Sequence, residues 1–271
     1  MIPRAQITAW RALAPWPQDE QVEQDLILSR ALTAIFARPS LRQALAFRGG
    51  TALHKLHFDP PGRYSEDLDL VQVEAGPIGP VLAELREALD PWLGEPAWKQ
   101  GPASAKLLYR FETTTLPVQL MRVKVEINTR EHFSVDGLQH VPFAVANPWH
   151  SAQELITTFT LEELLATKMR ALFQRRKGRD LYDLWLGLTT LDPDEVHIIE
   201  CLGEYLARTE TAISRAEFEA NMVGKLASPD FRADVIPLLR NPAGYDVDAA
   251  ALIVHDRLIA RLPGAPWKGL A

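Results

Sequence analysis

Two patterns of apolar spacing divide the chain. Over residues 17–38 the apolar side chains recur at helical spacing, with Val22, Leu26, Leu28, Leu32, Ile35 and Phe36 forming one inward stripe. Asp19, Glu20 and Glu23 lie near the start, where the helix dipole favours negative charge. A short helix is expected over 41–46, delivering Phe47 and Arg48 to the pair Gly49-Gly50. A further helix is expected over 51–57, with Ala52, Leu53 and Leu56 inward, and a loop follows at Pro60-Pro61-Gly62. Strand-like alternation then predicts a strand over 64–73, a helix over 81–92, and two strands over 107–113 and 118–128 with a turn at Leu116-Pro117. Near Asn147-Pro148-Trp149 alternation gives way to helical periodicity, so a domain boundary is expected near residue 150. Thr160-Leu161-Glu162-Glu163 has the form of a capping box and opens a helix to about residue 176. Lys177-Gly178 breaks it, and another helix begins at Arg179; later helices are expected around 193–208, 214–226 and 246–262.

Composition narrows the class. The 271 residues are 47% hydrophobic and 24% charged, the make-up of a globular chain long enough for one large domain or two modest ones. No apolar run reaches bilayer length and the N-terminus lacks a signal-peptide pattern, so a cytoplasmic protein without a membrane segment is expected. The single cysteine, Cys201, excludes an internal disulfide and a cysteine-based zinc cluster; its apolar helical context marks it as buried filler. A net charge of −6 excludes a uniformly basic nucleic-acid binder, but Arg170, Arg175, Arg176, Lys177 and Arg179 form one local basic cluster.

The chemistry concentrates between residues 49 and 69. Residues two apart on a strand face the same way, so Asp67 and Asp69 stand side by side while Leu68 and Leu70 point to the core. Two carboxylates on a rigid strand suit a hard divalent cation such as Mg²⁺. Ser65 shares their face. Gly49-Gly50-Thr51 places free backbone N–H groups at a helix start, where they can cradle phosphate oxygens. In Val123-Lys124-Val125-Glu126-Ile127-Asn128 the polar residues share one face, so Glu126 is the candidate for a third carboxylate; Glu112 and Glu131 rank below it.

The order Gly-Gly-Thr, then Arg63-Tyr64-Ser65-Glu66-Asp67-Leu68-Asp69, resembles the nucleotidyltransferase signature of the DNA polymerase β-like superfamily. More closely, it resembles the AbiEii-type toxins of abortive-infection and toxin–antitoxin systems. Lys168 followed by Arg179-Asp180-Leu181-Tyr182-Asp183 strengthens the likeness, which spans about residues 20–190. The resemblance implies an α/β (α+β) fold: a polymerase β-like core with a small mixed sheet over 1–150, then a helical C-terminal region over 151–271. It implies a Mg²⁺-dependent enzyme (Mn²⁺ as an alternative ion) that transfers a nucleoside monophosphate from an NTP to the 3′ end of tRNA, with a cognate antitoxin as partner. Asp67, Asp69 and Glu126 would hold metal, Glu126 alternatively acting as base. Gly49, Gly50, Thr51, Lys55 and Arg63 would contact phosphates. Lys168 would neutralise triphosphate charge, and Asp180 or Asp183, beside Arg179, would position the nucleotide. Read from residues alone, Lys55 and Arg63 are ordinary cations, and Arg179 and Asp183, four apart, would pair on a helix surface. Two alternatives stay open: transfer to a protein or small molecule, and a non-catalytic binding module on the same fold.

Overall fold

The computed structural model describes residues 2–269. It divides into two compact units, Met1–Phe159 and Thr160–Ala271. None of the helices is long and apolar enough to cross a membrane, among the described residues.

The N-terminal unit is built on a seven-stranded mixed sheet. Helices α1 (Arg4–Trp10), α2 (Asp19–Phe36) and α3 (Pro39–Ala44) lead to strand β1 (Leu45–Arg48), and α4 (Gly49–Leu56) follows directly. Then come β2 (Asp67–Gln72), α5 (Gly79–Leu93), β3 (Ala97–Gln100), β4 (Ser104–Glu112), β5 (Leu120–Asn128), β6 (Gln139–Asn147) and β7 (His150–Thr158). The strand order is β3-β4-β5-β2-β1-β7-β6. β2 is central, antiparallel to β1 and parallel to β5. Leu68, Leu70, Val123, Val125, Ile127 and Phe47 are buried, as are Val22, Leu26, Leu28, Leu32, Ile35 and Phe36 of α2, so the stripe expected for 17–38 is the observed core face.

Three segments differ from the sequence expectation. The expected helix over 41–46 ends at Ala44, because Leu45–Arg48 pairs with β2 and its residues are needed as a central strand. Alternation does not stop near 147: β6 and β7 form a hairpin reaching Thr158, and the units divide after Phe159 rather than near 150. Much of that hairpin is solvated, and Pro142 sits within β6. An edge strand tolerates a proline that a central strand would not, so the pattern looks unlike a strand. β3 is exposed along its whole length and carries no alternation to read.

The C-terminal unit is helical: α6 (Leu161–Gln174), α7 (Gly178–Thr190), α8 (Glu195–Arg208), α9 (Arg215–Leu226), α10 (Pro229–Ala233) and α11 (Val247–Arg257), with short 3-10 turns between and after the last of these. Thr160 caps α6 by accepting the Glu163 amide, at 3.2 Å. Glu163 does not return the bond as a capping box would; it is fully buried and accepts from the Tyr205 hydroxyl at 2.8 Å. Gly178 opens α7 because a Cβ there would lie 2.1 Å from the Phe231 carbonyl oxygen. Cys201 is buried in α8, as expected.

Candidate active site

The diglycine bend and the Asp-x-Asp strand meet in space. Pairing β1 with β2 sets Arg48 opposite Asp69, so the chain entering α4 turns immediately beside that carboxylate. Gly49 has φ +84°, and a Cβ there would stand 2.6 Å from Asp69 Oδ2. Only glycine satisfies both the left-handed backbone and the close approach. The first-turn amides of Gly49, Gly50 and Thr51 therefore open next to the acidic strand, as phosphate binding at a helix start requires.

Register brings the third carboxylate alongside. In the β2–β5 pairing Asp67 faces Lys124 and Asp69 faces Glu126. In the β4–β5 pairing Lys106 faces Glu126. All five side chains are on one face, opposite the buried Leu68, Leu70, Val125 and Ile127. Lys124 Nζ lies 3.0 Å from both Asp67 Oδ2 and Glu126 Oε2, and Lys106 Nζ lies 2.7 Å from Glu126 Oε1. Burial works against the Lys124 ammonium, but the Asp67 carboxylate and the hydrogen bonds to Asp67 and Glu126 outweigh it and hold its pKa above the ordinary lysine value. Burial would likewise raise Glu126, yet the hydrogen bonds from Lys106 and Lys124 bring it below the ordinary carboxylate range. Glu126 is thus ionised at neutral pH, a state that suits a metal ligand better than a proton acceptor. The donor set fits a divalent cation: three oxygen-bearing acids on adjoining strands, with the Lys124 ammonium already bridging two of them. The three acids are not drawn into a tight three-donor group as they stand, since Lys124 separates Asp67 from Glu126.

Ser65 precedes β2 and bonds Thr51, hydroxyl to hydroxyl, at 2.7 Å. Thr51 in turn donates to the Asp67 carbonyl at 2.5 Å. With its one proton so used, Thr51 accepts from Ser65, and the pair staples the first turn of α4 to the start of the acidic strand. Lys55 does not face this site's acids; its ammonium bonds Asp25 Oδ2 at 3.0 Å and Ser29 Oγ at 2.9 Å on α2. Arg63 is buried, and its guanidinium donates to the Tyr64 carbonyl at 3.1 Å. Arg48 pairs with Glu131, giving that glutamate a bracing role in the N-terminal unit.

The second motif block lies in the C-terminal unit. Lys168 is buried, 2.8 Å from Asp183 Oδ2 and 3.5 Å from Asp180 Oδ1. Arg175 makes a two-pronged pair with Asp180, at 2.6 and 2.7 Å. Asp180 and Asp183 are fully buried. The Arg179 amide donates to Asp234 at 3.2 Å, and Lys177 pairs with Asp234 at the same distance. Arg170 lies over the Tyr205 ring. The expected basic cluster is therefore largely neutralised within its own unit, although Arg175, Arg176 and Lys177 form an exposed run.

Two residues that sequence reasoning left without a role, Lys106 and Lys124, belong to the site. The signal for Lys124 was its spacing, two residues before Glu126 on the same strand face. Lys106 required the strand register.

Comparison with known proteins agrees with this geometry. The family model described as nucleotidyl transferase AbiEii toxin, Type IV TA system, matches residues 30–251. The chain belongs to that family. It is accordingly a nucleotidyltransferase of the toxin–antitoxin class. Among solved structures, MenT4, a nucleotidyltransferase toxin from Mycobacterium tuberculosis, is similar with a TM-score of 0.66 at 19% identity, covering 97% of this chain and 91% of that one. JHP933 from Helicobacter pylori gives a TM-score of 0.55 at 16% identity, covering 89% and 90%. A putative nucleotidyltransferase from H. pylori gives 0.53 at 16%, covering 89% and 93%. At such identities these structures support the fold, a mixed α/β core with helices. No curated protein sequence matches the chain.

Proposed function

We propose that the chain transfers a nucleoside monophosphate from an NTP to RNA, with the 3′ end of tRNA as acceptor, and that it does so as the toxin of a pair held in check by an antitoxin. The observation that carries the proposal is the register that sets Asp69 against Glu126 and presses Gly49 onto Asp69. It brings a phosphate-cradling turn and an acidic face to one place.

Asp67, Asp69 and Glu126 would hold Mg²⁺ or Mn²⁺, which when bound bridges triphosphate oxygens and offsets the charge developing on the leaving pyrophosphate. The protein's own groups do the rest. The amides of Gly49, Gly50 and Thr51 bind phosphate oxygens, and the Ser65–Thr51–Asp67 chain of hydrogen bonds fixes that turn relative to the acids. Lys124 and Lys106 keep Glu126 ionised and add positive charge next to the phosphates. The exposed Arg175-Arg176-Lys177 run supports a polyanionic acceptor, since such side chains contact phosphate backbones. Arg179 braces its own unit through Asp234. Lys168, Asp180 and Asp183 satisfy one another, so a direct role for Lys168 on a triphosphate would require it to exchange partners; we assign these three to holding α6 against α7.

The test is to incubate purified protein with each labelled NTP, a divalent ion, and either total tRNA or RNA-free lysate. Label is expected on tRNA. Label on protein alone would move the acceptor to the protein class, and no label with any acceptor would overturn the proposal.

A further inference from the structure

A cavity of about 310 Å³ lies wholly within the N-terminal unit, bounded by α1, α2, α4, the segment after α4 and β6. That volume falls at the lower end of small-molecule sites. Thr51 and Ser65, the hydroxyl pair tied to the Asp67 carbonyl, line it. So do Trp16, Phe58 and Phe143, which give it aromatic surface.

The charges in its wall are already balanced in part. Lys55 is paired with Asp25, which also accepts from the indoles of Trp10 and Trp16 at 2.9 and 3.2 Å. The cavity follows α4 toward its C-terminal end, where Leu56, His57 and Phe58 form the lining and the helix dipole disfavours an anion. His54 packs on Phe58 with ring centroids 4.9 Å apart. Aromatic faces with fixed hydrogen-bonding groups, and an end unfavourable to phosphate, describe a place for a flat, neutral ring bearing polar edges. At the other end, two hydroxyls beside the catalytic strand suit a ribose.

We propose that this cavity binds a nucleoside, with its base among the aromatic side chains and its sugar at the Thr51–Ser65 end. The inference rests on the nucleotidyl-transfer reading and adds a base-recognition site to it. The nucleoside can be that of the NTP donor or the terminal one of an RNA acceptor.

Ala144 stands exposed at the rim of the cavity, so Ala144→Trp should obstruct it without disturbing the core. Binding is measured by calorimetry with four probes: free nucleosides, NTPs with Mg²⁺, a short single-stranded oligoribonucleotide ending in a 3′ hydroxyl, and inorganic triphosphate. Wild-type protein is expected to bind at least one nucleoside, and Ala144→Trp to weaken it at least ten-fold with triphosphate binding and melting temperature unchanged. Phe143→Ala, which removes an aromatic face instead of filling space, is expected to weaken it in the same direction. Loss confined to NTPs assigns the cavity to the donor base; loss confined to the oligoribonucleotide assigns it to the acceptor end. Asp69→Asn should leave free-nucleoside binding intact while transfer is lost, which separates the two readings. The cavity proposal is overturned if no nucleoside binds, or if Ala144→Trp and Phe143→Ala bind as wild type; label transfer to tRNA would then still stand. Nucleoside binding sensitive to Ala144→Trp, without transfer to any acceptor, would keep the cavity and remove the RNA-transfer reading.

Discussion

Each unit contains a lysine placed between two carboxylates, and the two lysines sit in opposite settings. Lys124, on the face of the sheet, bridges Asp67 and Glu126 with 28% of its side chain exposed, and its partners are 33% and 25% exposed. Lys168, between α6 and α7, bridges Asp180 and Asp183 at 6% exposure, with both partners sealed at 0%. The same three groups thus make a solvated, exchangeable arrangement in one place and a buried, closed one in the other. Screening by water leaves the open bridge weak and free to accept another cation or a phosphate. Dehydration makes the closed bridge depend on every member. A chain of acids and lysines becomes a site where water reaches it, and a clamp where it does not.

Substitution of the two lysines tests this contrast most strongly. Lys168→Met should cost about 3–5 kcal/mol in chemical denaturation, because it strands two buried carboxylates. Lys124→Met should cost under about 1 kcal/mol, as for exposed pairs. Equal losses would erase the distinction. The two closely packed glycines come next. Gly49→Ala forces a left-handed residue and a 2.6 Å approach to Asp69 Oδ2, while Gly178→Ala drives a methyl to 2.1 Å from the Phe231 oxygen. Each should cost about 1–3 kcal/mol in thermal unfolding. Gly49→Ala alone should also abolish label transfer; an active Gly49→Ala protein would separate the bend from the acids.

The smallest expected effect concerns acid. Burial opposes ionisation of Glu219, but Arg215, the Trp267 amide and His255 outweigh it and bring its pKa down to about 2. A carboxylate depressed in the folded state stabilises fully above its unfolded value near 4.5, and that stability is lost as pH falls toward 2. Wild-type melting temperature should therefore drop more steeply than that of Glu219→Gln between pH 4.5 and 2. Parallel curves would show that the carboxylate contributes nothing.

Much of this was legible in the sequence for a physical reason: periodicity reports burial. The α2 stripe, the Asp67/Asp69 face and the Lys124/Glu126 face are all one-sided, so spacing alone assigns them. Pairing is not written in spacing. That Asp69 lies beside Glu126, that Lys106 reaches the same acid, and that Gly49 touches Asp69 depend on strand register. The β6–β7 hairpin escaped notice because its side chains are wet along much of both strands and Pro142 interrupts the pattern. The fate of Lys168 and Lys55 was hidden for a related reason. A cation looks the same in sequence whether it meets a ligand or, as Lys55 does, a buried aspartate fifteen residues after Trp10 and nine after Trp16.

The central claim is that the acidic face, read as a metal–nucleotide site, performs the transfer. Rates of label incorporation into tRNA by wild-type protein and by Asp69→Asn, measured alongside their melting temperatures, address it directly. The account predicts a rate at least about a thousand-fold lower, roughly 4 kcal/mol of transition-state stabilisation, at an essentially unchanged melting temperature. Incorporation by Asp69→Asn at the wild-type rate would contradict it.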